Sequence, residues 1–197
     1  MTRDRTLSYA LWNSDSLLRH VVLVMAGVAL LALAAKIKVP MWPVPITLGT
    51  FAVLGLGAAY GARLGLATIV AYMLVGAAGF DVFAGSSAEK NGIAYMLGGT
   101  GGYLVGYVLA TAALGWAAER GWDRSVLLMG LAMLIGNALI YVPGLIWLQQ
   151  LYDASWAQTL DWGLWPFLAG DAIKLVLAAL LLPGAWALVR RVKGTAA

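Results

Sequence analysis

Six mostly apolar runs follow one another along this chain, and that succession decides which solvent the fold is built for. They cover residues 19–37, 46–61, 63–80, 97–118, 125–149 and 165–189. A helix needs about 20 mostly apolar residues to cross a bilayer. The second and third runs are short and meet at Gly61-Ala62-Arg63, which suggests tilted or half-embedded segments. Of the 197 residues, 62% are hydrophobic and 11% charged, too little charge to coat a water-soluble surface of this size. The expectation is an all-α membrane protein with six transmembrane helices, a terminal segment over 1–18, a membrane domain over 19–190 and a tail over 191–197.

Orientation follows from Lys and Arg, which stay cytoplasmic. Six spans place Arg3, Arg5, Arg19, Arg63, Arg120, Arg124, Arg190, Arg191 and Lys193 on one side. Lys36, Lys38 and Lys90 fall on the other, and Lys174 stays within the membrane. Both termini are thus expected in the cytoplasm. A seven-span reading breaks this asymmetry. The formal charge of +4 lies at run ends, which excludes a nucleic-acid partner. Trp116, Trp122, Trp147, Trp162 and Trp165 also lie near run ends, as an interfacial belt does. Trp42 lies there too, and is the tryptophan best placed for a second role.

Several classes of chemistry drop out. The chain has no cysteine and one histidine, His20, so disulfides, thiol catalysis and Cys/His metal sites are not expected. Residues 1–19 contain no apolar core of a secretory leader, so no signal peptide is expected. No G-x-x-x-x-G-K-[ST] loop is present, so transport powered by this chain's own ATP hydrolysis is not expected. No Ser/His/Asp set and no H-E-x-x-H is present either, so the chain does not read as an enzyme.

Three segments exceed what spanning requires. The first is Gly170-Asp171-Ala172-Ile173-Lys174, inside the last run. A charge near the bilayer centre costs about 2.5–3.5 kcal/mol on insertion scales. Asp171 and Lys174 are three apart and share a helix face. They form either an ion pair that fixes helix packing or a polar ligand site. In the latter, Lys174 meets an anionic group and Asp171 accepts from ligand N–H groups. The second is Val39-Pro40-Met41-Trp42-Pro43-Val44-Pro45-Ile46-Thr47, whose three prolines forbid helix and predict a stiff extended outer loop. It is either a plain connector or a rim that holds a ligand. The third is Gly98-Gly99-Thr100-Gly101-Gly102-Tyr103. Gly98, Gly102 and Gly106 give a smooth face for close packing. Gly99, Thr100 and Gly101 suit a helix start whose N–H groups face a carboxylate. Gly57, Gly61 and Gly65 form a similar row, interrupted by the turn at Gly61.

These segments also carry a resemblance. Pro43-Val44-Pro45-Ile46-Thr47, Val82-Phe83-Ala84-Gly85, Thr100-Gly101-Gly102-Tyr103 and Gly170-Asp171-x-x-Lys174 occur in the order and approximate spacing of the BioY family. That family comprises the biotin-specific substrate-binding (S) components of energy-coupling factor (ECF) transporters. The resemblance spans about residues 20–190. It implies a compact six-helix bundle that captures biotin near its external face, with the Pro-rich 39–47 and Gly/Ser-rich 83–92 loops as a lid. It implies no cofactor, and partners in a transmembrane coupling protein and a pair of ATPases. It implies primary ligand contacts from Asp171, Lys174 and Tyr103. Thr47, Phe83, Gly85, Trp42 and the 99–102 backbone (Gly99, Thr100, Gly101, Gly102) would be secondary. The alternatives are an S component for another small vitamin and a scaffold subunit that binds no small molecule.

The chain departs from the family pattern in three places. Asp81 stands where a proline usually precedes Val-Phe, and Lys36 stands where glutamine is frequent. The first run also lacks small residues four apart, which in many S components dock the coupling protein. A solitary or homo-oligomeric mode, or a divergent interface, is the alternative there.

Overall fold

The computed structural model describes residues 6–87 and 90–194. Arg3 and Arg5, Ala88 and Glu89 of the Gly/Ser-rich loop, and the last three residues of the tail lie outside the described residues. Among the described residues, four helices are long and apolar enough to cross a membrane: α2 (Leu17–Lys36), α6 (Gly101–Glu119), α7 (Val126–Tyr152) and α9 (Trp165–Val192). Two shorter apolar helices, α3 (Gly49–Tyr60) and α4 (Ala62–Ala77), accompany them. The remaining elements among the described residues are α1 (Leu7–Leu11), a two-stranded hairpin of β1 (Lys38–Val39) and β2 (Ile46–Thr47), α5 (Gly92–Met96), a 3-10 turn (Trp122–Arg124) and α8 (Trp156–Gly163).

Helix ends follow local chemistry. Ser16, Ser125 and Ser155 cap α2, α7 and α8 by accepting from the backbone N–H three residues on. Ser155 and Gln158 form a reciprocal capping box. The α3–α4 junction is a single residue, Gly61, at φ +82°, a conformation that L side chains rarely adopt.

Helix α6 is central, packed against α3, α4 and α7. Glycines permit the close approach. A Cβ on Gly106 would sit 2.6 Å from the Ile140 Cα of α7. Gly57 and Gly65, from α3 and α4, both close around Thr111 of α6. The outer faces are apolar: Leu18, Met25 and Leu33 of α2, Leu127 and Leu134 of α7, and Ile173 and Leu181 of α9 are exposed, as lipid-facing residues would be.

Several expectations are revised. The fourth run does not enter helix at 97: Gly98 precedes α6, so the close-packed row reduces to Gly102 and Gly106. The Gly98 carbonyl instead accepts from Gly101 N–H in a turn. The 39–47 segment is extended only at its ends, where Lys38 pairs with Thr47 and Val39 with Ile46. The proline-rich stretch between forms the bend. The aromatic segment before the last run contains α8, which its polar and aromatic composition concealed. The 1–18 segment is partly folded: α1 sets Leu7 and Ala10 against Trp186 of α9.

Candidate functional site

Twelve residues of helix rise about 18 Å, well short of a bilayer's roughly 30 Å hydrocarbon core. The shortness of α3 leaves space above its N-terminus, and the hairpin and the 81–87 loop roof that space. Beneath them lies a partly open cavity between the helices. Its wall is largely apolar and aromatic, with Val44, Val53, Tyr72, Tyr95, Tyr107 and Phe167 among the lining side chains.

The charged part of the wall comes from the last helix. Lys174 lines the cavity, and Asp171 lies one turn earlier, only 5% exposed. Lys174 Nζ donates to Asp171 Oδ1 at 2.9 Å, to Thr50 Oγ1 at 3.0 Å and to the Thr47 carbonyl at 2.7 Å. The ammonium's three donors therefore all have acceptors. Tyr141, from α7, donates its hydroxyl to Asp171 Oδ2. Two opposite charges removed from water are tolerable together when further hydrogen bonds satisfy what the pair leaves open, and Thr47, Thr50 and Tyr141 do so here. An incoming carboxylate or ureido group can join this cluster by exchanging with the neutral partner Thr50, while Tyr141 keeps Asp171 in place.

Among the sequence candidates, Thr47, Phe83, Thr100, Tyr103 and Lys174 line this cavity. Tyr103 contributes its ring, while its hydroxyl donates to the Gly163 carbonyl of α8 at 3.0 Å. Phe83 is buried, stacked on Tyr95 at 5.1 Å and edge-on to Tyr72 at 5.3 Å. Gly76 faces its ring, and no side chain would fit there. Trp42, Gly85 and Gly99 line a neighbouring recess nearer the rim, which Thr100 shares. Trp42 is 68% exposed and stands edge-on to Tyr152 and Trp162. Gly101 and Gly102 are not brought to either space. A Cβ on Gly101 would strike the Met96 carbonyl of α5, and one on Gly102 would strike the Pro143 carbonyl and Trp147 of α7. Gly101 N–H is already bonded to Gly98, so at that position no free donor faces the cavity.

Sequence reasoning missed Tyr141, Thr50, Tyr95 and Tyr107. A hydroxyl in an apolar run carries no mark, although Thr50 lies three residues after Thr47 at the start of a helix.

Above the cavity, Lys36 Nζ bonds Asp81 Oδ1 and the Phe83 carbonyl, and Lys38 Nζ bonds the Ala84 carbonyl. The Lys36 ammonium and the Ser86 hydroxyl hold the Asp81 carboxyl below the usual carboxylate range. Two of the positions that depart from the family pattern, Lys36 and Asp81, thus face and neutralise each other. Among the described residues, no three His, Asp or Glu side chains converge as a metal site would.

The sequence model of the BioY family matches residues 4–191. A probable biotin transporter BioY of Pyrococcus horikoshii is 37% identical over 163 residues, covering 83% of this chain and 93% of that protein. The biotin transporter BioY of Thermotoga maritima is 35% identical over 162 residues, covering 81% and 92%. A crystal structure described as the S-component for biotin from an ECF-type ABC transporter shares the fold, with a TM-score of 0.70 at 21% identity. It covers 84% of this chain and 89% of that one.

Proposed function

The chain belongs to the BioY family, and from that premise we propose that it captures biotin for uptake across the cytoplasmic membrane as the substrate-binding subunit of an ECF-type transporter. The observation that carries the reading is the buried Asp171–Lys174 pair in the wall of an otherwise apolar cavity. Biotin offers matching chemistry: an anionic carboxylate, a ureido ring with two N–H donors and a carbonyl, and an apolar thiophane and chain. Lys174 supplies the cation and Asp171 the acceptor. Aromatic rings, with Phe83 and Tyr103 among them, enclose the apolar parts, and Thr47 and Thr100 add polar contacts. Trp42, Gly85 and Gly99 form the rim through which the vitamin enters.

In this reading α2, α3, α4, α6, α7 and α9 are six spans, with α3 and α4 completed by the segments beside them. Both termini are cytoplasmic. Arg19, Arg63, Arg120, Arg124 and Arg190 then gather at the end of the bundle opposite the cavity, in support of a cavity that opens outward. Release to the cytoplasm is driven by a transmembrane coupling protein and ATPase subunits. The chain is neither an enzyme nor dependent on a cofactor.

The test is equilibrium biotin binding to the detergent-purified protein, with desthiobiotin and riboflavin as comparators. Tight, biotin-selective binding is expected. Absence of binding by a folded preparation overturns the assignment, and selective riboflavin binding moves it to another vitamin. One observation favours a second reading. Lys174 and Asp171 already satisfy each other with their neighbours, as a purely structural pair in a scaffold subunit would. That reading expects no vitamin to stabilise the protein.

A further inference from the structure

At the end of the bundle opposite the biotin cavity, α1, the start of α2 and the α3–α4 turn line a second, open-mouthed space. Arg19 is the notable residue there. It lies in the first turn of α2 and is 3% exposed. Its Nε is buried without a hydrogen-bond partner, and no ion pair involves it among the described residues. A guanidinium stays charged at any physiological pH, and burying a charge without a counter-charge is costly. The Tyr9 ring, 5.3 Å from the guanidinium carbon, offsets part of that cost by a cation–π contact.

Among the described residues, the carboxylates near this space do not resolve the imbalance. Glu119 accepts from the backbone N–H of Ala62 at 2.9 Å, capping α4. Asp15 is exposed at the rim. Arg63 and His20 add basic character to the same wall.

We infer that this space is a binding site for the phosphate of an anionic phospholipid, with Arg19 as the buried phosphate ligand and Arg63 as its exposed partner at the rim.

Two features select a lipid-borne phosphate. First, Arg19 sits where a spanning helix enters the bilayer. Its neighbours on α2, Leu17, Leu18, Val21 and Val22, are exposed apolar residues. Second, the same space is lined deeper by Val24, Leu64 and Ala67. Val24 lies five residues along α2 from Arg19, about 7.5 Å by helical rise. A phosphate on Arg19 therefore places the glycerol and first acyl carbons against apolar wall. Arg forms planar paired hydrogen bonds to phosphate oxygens, which supplies the partner that the buried Arg19 Nε lacks.

The test uses the delipidated full-length protein, titrated with dioleoyl phosphatidylglycerol, dioleoyl phosphatidylcholine or inorganic phosphate. Bound lipid is read by native mass spectrometry. One phosphatidylglycerol per protein is expected, at about tenfold tighter binding than phosphatidylcholine, whose phosphate is offset by a choline ammonium that Arg19 and Arg63 repel. Arg19→Gln removes the preference, and Arg63→Gln, which disturbs no buried packing, weakens it. Biotin affinity stays unchanged in both, since neither residue lines that cavity. Equal retention of the two lipids, or full preference in Arg19→Gln, overturns the proposal. If Arg19→Gln does not fold, Arg63→Gln decides: undiminished preference in that variant overturns it. Displacement of phosphatidylglycerol by inorganic phosphate upholds the phosphate chemistry and assigns the occupant to a soluble source. No displacement assigns it to the lipid.

Discussion

Asp171 and Lys174 were conspicuous in the sequence because lipid makes a charge expensive, so two charges within an apolar run demand a reason. The structure supplies neighbours that keep either residue tolerable when the other is neutralised. Thr47 and Thr50 still receive Lys174, and Tyr141 still donates to Asp171. Asp171→Asn and Lys174→Met are therefore expected to abolish biotin binding while each protein still elutes as a folded species. Wild-type affinity in both variants would sink the site assignment, and loss of folding in both would favour the structural pair. Tyr141→Phe removes a hydrogen bond to a carboxylate, a contribution of about 1.5–3 kcal/mol. A fall in biotin affinity of roughly ten- to hundredfold is expected from that change, measured against the same titration. Tyr141 was illegible because its partner lies 30 residues away on another helix, and a tyrosine in an apolar run looks like any other aromatic.

Among the elements, the loop over the cavity is held by charge and the helices beneath it by small residues. Lys36, at the end of α2, ties down Asp81 and the Phe83 carbonyl. Both side chains of the ion pair are substantially exposed, so it contributes at most about 1 kcal/mol. Lys36→Gln is accordingly expected to speed biotin release by no more than about fivefold. Asp81 has a folded-state pKa below its ordinary value. The stabilisation it gives is thus present above the ordinary carboxylate range and lost as pH falls through the depressed value. Release should be insensitive to this group near neutrality and quicken only in acid. The acid increment should shrink in Asp81→Asn, and an equal increment in that variant would remove the role assigned to the link. The glycines of α6 show the limit of pattern reading at this scale. Gly102 and Gly106 follow a four-residue spacing and do meet α7, whereas Gly101, read as a ligand-facing donor, closes on the Met96 carbonyl of α5.

For the whole molecule, the orientation is open to direct measurement because the chain contains no cysteine. Single cysteines can be introduced at exposed Asn13 and Ser87, at opposite ends of the bundle. With six spans and cytoplasmic termini, Ser87→Cys reacts with a membrane-impermeant maleimide in intact cells. Asn13→Cys reacts only after permeabilisation. Labelling of both from one side, or the reverse pattern, would overturn the topology. The same two-ended organisation separates the two spaces: the cavity lined by Lys174 lies under the hairpin, and the Arg19 space lies under α1.

What the sequence determined by itself was set by solvent and by neighbours along the chain. Lipid selects long apolar runs, basic residues mark their ends, and buried charges stand out against both. Gly61 breaks α3 from α4 for the same local reason, since only a glycine turns there without strain. The tertiary structure alone decided which faces met. Thr47 and Thr50 reach Lys174 across 127 and 124 residues, and the cavity exists because α3 is shorter than its neighbours. Contacts of that separation leave no periodic trace, because each partner is placed by its own helix and the coincidence of the two is a property of packing.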